Sequence, residues 1–110
     1  MTTITEDFVS FETAKLLKEK NCPDFGYSCI CDSEGNKAQT QSIIMKWLRI
    51  KHHIDIEVNV YSKDHVGLLN YFFEIRKNGS LLILDDVNHV RDNYEEAVEA
   101  AIEYCLKNLI

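Results

Sequence analysis

The chain is expected to fold as one α+β domain over residues 1–110, with a curved, mostly antiparallel sheet of about five strands and three helices packed on one face. The expected order is α-β-β-α-β-β-β-α. Three observations predict it. Ile54-Asp55-Ile56-Glu57-Val58-Asn59-Val60 alternates strictly between β-branched and polar residues, which marks a strand with one dry and one wet face. Asn78-Gly79 separates two apolar runs, and both residues accept the left-handed backbone of a tight hairpin. Three further stretches repeat apolar residues at helical spacing, each behind a capping residue.

The elements follow in order. Ser10 offers a hydroxyl to the free N–H groups of a first helix, with Glu12 near its positive end and Phe11, Ala14 and Leu17 as its stripe. Asn21-Cys22-Pro23 ends it, because Asn tolerates the left-handed conformation and Pro cannot continue a helix. Tyr27 to Cys31 alternates as a strand, Ser33-Glu34-Gly35-Asn36 turns the chain, and Lys37 to Gln39 returns. Thr40 caps a second helix, about Gln41 to His52, with Ile43, Ile44, Trp47 and Leu48 on one face. After the alternating strand come two more, about Leu68 to Arg76 and Ser80 to Val87. Asn93 caps the last helix, Glu96 can complete a capping box, and Tyr94, Ala97, Val98, Ala101, Cys105 and Leu109 form its stripe.

Composition excludes several classes. Of 110 residues, 45% are hydrophobic and only 4 are Gly and 1 Pro, which is a globular and not a disordered or fibrous balance. Met1 to Asp7 carries neither a basic nor a long apolar stretch, and Leu81-Leu82-Ile83-Leu84 is far too short for a membrane span, so a cytoplasmic protein without membrane contact is expected. Cys22, Cys29, Cys31 and Cys105 are then expected as reduced thiols.

The net charge of −6 is unevenly placed. Asp85 to Glu103 holds seven acids and one base, Arg91, while the rest of the chain balances. Thr40 to His53 holds Lys46, Arg49 and Lys51 and no acid.

Val9 to Lys20, Thr40-Gln41-Ser42 leading into Lys46-Trp47-Leu48-Arg49, and Asn93-Tyr94-Glu95-Glu96-Ala97 before a terminal Leu-Ile helix together resemble a family of small proteins from gut Bacteroides, their mobile elements and phages. The resemblance spans nearly the whole chain. That family has no established function, so the likeness implies a fold and no reaction. Two loops depart from its pattern: Ala38-Gln39 replaces a Pro, and Asn21 to Gly26 carries Cys-Pro where members tend to have Gly.

No nucleophile elbow, Walker loop, Rossmann fingerprint or His-Glu-x-x-His occurs, so a non-enzymatic protein without cofactor or metal is expected. Cys29 and Cys31 lie two apart on a strand, with Cys22 nearby. They lack the spacing of a zinc site, and such cysteines are ordinarily small core residues. Glu95, Glu99 and Glu103 recur every fourth residue and stack on one helix face. That row reads as a solvated face or as a docking surface for a basic protein partner, and the docking reading is the principal functional expectation. The alternative is a small nucleic-acid-associated factor contacting its ligand through Lys46, Arg49 and Lys51. A third reading places a metal or catalytic site at His65 and His89 with Asp85 and Asp86. An exposed sheet edge, or complementarity between the basic and acidic helices, would allow dimers, and the sequence selects neither.

Overall fold

A computed structural model describes residues 7–63, 68–85 and 91–110. Its elements are α1 (Phe11–Glu19), β1 (Cys29–Cys31), β2 (Lys37–Gln39), α2 (Gln41–His52), β3 (Ile54–Lys63), β4 (Leu68–Lys77), β5 (Ser80–Leu84) and α3 (Tyr94–Asn108). The expected order and mixed α+β class are observed.

Each helix begins at its expected cap. Ser10 Oγ accepts from Thr13 N, Thr40 Oγ1 from Ile43 N, and Asn93 Oδ1 from Glu96 N. Their ends follow equally local chemistry. Asn21 at φ 62° and His53 at φ 58° take left-handed backbone and turn the chain out of α1 and α2. Asn78 at φ 52° and Gly79 at φ 83° make the two-residue turn between β4 and β5.

The strands are antiparallel but form two sheets and not one. Among the described residues β1 pairs with β2 alone, and β3, β4 and β5 form a three-stranded meander in that order. The first hairpin does not reach the meander because the open edge of β2 is taken by the N-terminal lead-in. Phe8 bridges Thr40, and Val9 N donates to Gln39 O at 3.0 Å. Strand β5 ends at Leu84, short of the expected Val87, which lies outside the described residues.

In the meander Ile56 faces Ile75 and Val58 faces Phe73, so these residues share the face that meets α3. α3 lies over β3 and β4, α2 against β3, and α1 against α3 and β2. The core between these layers holds Leu17, Ile44, Trp47, Leu48, Ile54, Phe73, Ile75, Val98, Ile102 and Leu106. Cys105 is fully buried there, as its place on the stripe predicts. Tyr94 departs from its stripe and is exposed. Cys29 is half-buried and Cys31 exposed, so neither is a core residue: the outer side of β1 is not covered by the core.

Candidate functional site

At the middle of the acidic row on α3, Glu99 lies in a seam between helices and not on an open face. Glu99 Oε2 accepts from Ser10 N at 3.1 Å and from Thr13 Oγ1 at 2.5 Å, and Glu99 Oε1 accepts from Gln41 Nε2 at 3.2 Å. One carboxylate therefore ties α3 to the first turns of α1 and α2. Ser10 Oγ donates to Thr13 Oγ1 at 3.0 Å, so two hydroxyls point in series at the charge. A hydroxyl has one proton, and Thr13 spends it on Glu99; Glu103 Oε1 stands farther off at 3.3 Å. Glu103 instead meets Lys107 at 3.9 Å. The backbone oxygen of Glu95 accepts from Gln41 Nε2 at 3.0 Å. Bonds to a charged group contribute about 1.5–3 kcal/mol each, enough to offset like-charge crowding of about 0.2–0.5 kcal/mol per pair. Ser10, Thr13 and Gln41 carry no sequence signal for this role beyond capping.

The loop-borne histidines cannot be placed: His65, Asp86 and His89 lie outside the described residues. Asp85 is committed elsewhere. It forms a buried ion pair with Arg91, whose guanidinium also lies 5.3 Å from the centre of the Phe73 ring. The Arg91 backbone N–H donates to Asn70 Oδ1 at 2.8 Å, which docks the chain entering α3 onto β4. Burial pushes the Cys22 thiol up to about 11 and Cys105 up to about 12, so both are held as unreactive neutral thiols. Among the described residues no group of three metal-ligating side chains gathers, and no helix is long and apolar enough to cross a membrane.

The basic second helix borders a feature that its sequence pattern does not reveal. Its inner face, Ile44 and Leu48, is fully buried, while Ile50 is 64% exposed. Three adjoining depressions of about 430, 210 and 700 Å³ run along its outer side, against the segment from Lys20 to Ser28. Together they form one furrow. Ile43, Trp47 and Ile50 make its floor, and Phe25 and Tyr27 rise as the far wall. Lys20, Lys46 and Lys51 line it, and among the described residues no carboxylate does. Arg49 is not among the lining residues, so only two of the three expected bases on α2 face the furrow.

The wall is braced from below. Phe25 N donates to Gln39 Oε1 at 3.0 Å, and Gln39 Nε2 donates to Pro23 O at 2.9 Å. Gly26 at φ 75° turns the segment outward, its N–H held by Asp24 Oδ1 at 2.9 Å. Tyr27 is thereby left 68% exposed beside Lys46. At the other end His52 meets Trp47 edge-on, ring centres 4.8 Å apart. Burial, reinforced by the charges of Lys51, Lys77 and His53, holds the His52 imidazole below its ordinary pKa. No protein-family model, no curated protein and no solved structure matches this chain.

Proposed function

We propose that this protein is a non-enzymatic interaction module that holds an acidic, amphipathic segment of a partner protein in the furrow beside α2. One observation carries this reading: a furrow with an apolar floor, lined by lysines and by no carboxylate among the described residues, lies on a protein whose net charge is −6. An amphipathic helix fits such a groove through apolar anchors at every third or fourth position, with carboxylates left to meet the lysines on the rim. The sign of the partner follows the surface that is free. Glu99, at the centre of the acidic row, already accepts three internal hydrogen bonds, which moves the working surface from α3 to α2.

Trp47 is the sole tryptophan and floors the furrow, so its fluorescence reports occupancy directly. A synthetic helical peptide with leucines on one face and glutamates on the other is expected to shift Trp47 emission. Raising the salt from low to molar concentration should weaken the response, since exposed charge pairs are screened. The double variant Lys46→Glu, Lys51→Glu should lose about tenfold or more in affinity, two reversed rim charges being worth about 1–3 kcal/mol together. An emission change that is the same in the variant, or no change at millimolar peptide, rejects the reading.

A second reading rests on exposed Tyr27, whose ring could stack a base beside Lys46, with Arg49 and Lys51 near the backbone. Three bases on an acidic protein make a small electrostatic footprint. A homothymidine oligonucleotide that quenches Trp47 at low salt, where the acidic peptide does not, would favour it.

A further inference from the structure

Most of the exposed apolar side chains outside the furrow lie on the meander, Ile30 and Tyr94 apart. Leu81, Leu82 and Leu84 are 49%, 46% and 56% exposed, all within the five residues of β5, with Leu69 on β4 and Val60 on β3. Among the described residues β5 pairs only with β4, and none of them pairs with the backbone groups of its other edge. Such edges are ordinarily guarded by charge. The opposite edge, β3, carries Asp55 and Glu57 and packs against α2. Ser80-Leu81-Leu82-Ile83-Leu84 carries no charge at all.

Two carboxylates beside the strand are neutralised as well. Asp85, at the end of the strand, is paired with Arg91, and Glu74, opposite Leu84, is paired with Arg76 at 3.1 Å. The register shift between Ile75 and Arg76 sets how the leucines face. Leu81 stands opposite Arg76 and Leu84 opposite Glu74, so both lie on the sheet face away from α3, although they are three residues apart. A short, bulged strand usually blunts an edge. Here the bulge instead puts two exposed leucines on one face.

We infer that β5 pairs antiparallel with β5 of a second copy of this chain, about a two-fold axis, to make one six-stranded sheet. This inference is independent of the furrow. A two-fold contact needs a surface that complements itself. An uncharged apolar strand does so without bringing like charges together. Antiparallel pairing about a point between Leu82 and Ile83 also lays Leu81 of one copy opposite Leu84 of the other. The net charge of −6 on each copy does not prevent approach, because the acidic helix lies over β3 and β4 and not over β5. The two β4 strands would stand about 14 Å apart at ordinary strand spacing, beyond the screening length of about 8 Å at physiological ionic strength.

Sedimentation equilibrium of the whole chain decides it. The expected result is a species of twice the 12.8 kDa of one chain that dissociates on dilution. Leu82→Lys, at an exposed position, should remain folded by far-ultraviolet circular dichroism and become monomeric. Leu84→Lys serves the same purpose if Leu82→Lys fails to fold. Ile50→Ser, in the furrow, should leave the dimer unchanged. A wild-type chain that stays monomeric up to about 1 mM, the weak end of specific affinity, overturns the inference, and an edge that takes only a different protein's strand would give that result. A dimer that survives both folded lysine variants, or that dissolves in Ile50→Ser, overturns it too.

Discussion

The furrow along α2 and the outer edge of β5 both expose large apolar side chains, yet they differ in the charge around them. Ile50 and Tyr27 stand among lysines, with no carboxylate among the described lining residues. Leu81, Leu82 and Leu84 stand on an uncharged strand beside which Glu74, Arg76 and Asp85 are already paired. Apolar area supplies attraction without direction, so the surrounding charge selects the occupant. A positive rim suits an acidic stranger, and a neutral, self-matching edge suits another copy.

The sharpest way to disturb this contrast is Arg91→Met, which would leave a buried carboxylate at Asp85 unpaired beside β5. Removing one partner of such a pair costs about 3–5 kcal/mol. Urea titration at fixed protein concentration should show that loss, with dimerisation weakened and the furrow's peptide response retained in whatever fraction stays folded. A midpoint unchanged from wild type would mean that the Arg91–Asp85 pair contributes nothing to the neutral edge. Next in size is a comparison within α2. Leu48→Ala should cost about 2–5 kcal/mol as a buried large-to-small change, whereas Ile50→Ala should stay within about 0.5 kcal/mol. Equal losses in thermal or urea unfolding would make Ile50 a core residue and not a docking one.

Thr13→Val keeps the shape of a fully buried residue and removes the hydroxyl aimed at Glu99. A loss of about 1–3 kcal/mol is expected, checked by urea unfolding. An unchanged midpoint would return Glu99 to the solvent and to the acidic docking surface first expected of Glu95, Glu99 and Glu103. The smallest effect concerns pH. The folded state holds His52 below its ordinary pKa, so below about pH 6.5 the unfolded chain binds the proton more readily. The stabilisation from neutral His52 is complete above that pH and is lost as pH falls through the folded pKa. A modest destabilisation should accompany a change in Trp47 emission, and both should disappear in His52→Phe.

The caps and turns were legible because their chemistry is local. Ser10, Thr40, Asn93 and Asn78-Gly79 act on backbone groups one to three residues away, and such signals survive without knowledge of the fold. The division into two sheets was not legible, since it turns on Val9 reaching Gln39 across thirty positions of sequence. The internal bonds of Glu99 were hidden for the same kind of reason. Its i+4 spacing places three carboxylates on one side of α3, but spacing cannot say what lies against that side. The furrow was half legible: the bases of α2 were visible, while its wall depends on the Gln39 side chain bracing Pro23 and Phe25. Cys29 and Cys31 misled because alternation on a strand says which residues share a face and not whether that face is covered.

The bond between Ser10 and Glu99 spans 89 positions of the chain. A ribosome adding roughly 5–20 residues per second needs about 4–18 s to travel that distance. During that interval the two hydroxyls of α1 have no Glu99 carboxylate to receive them. A helix made early thus waits for one made later, and the first turn of α1 is finished from the side of α3.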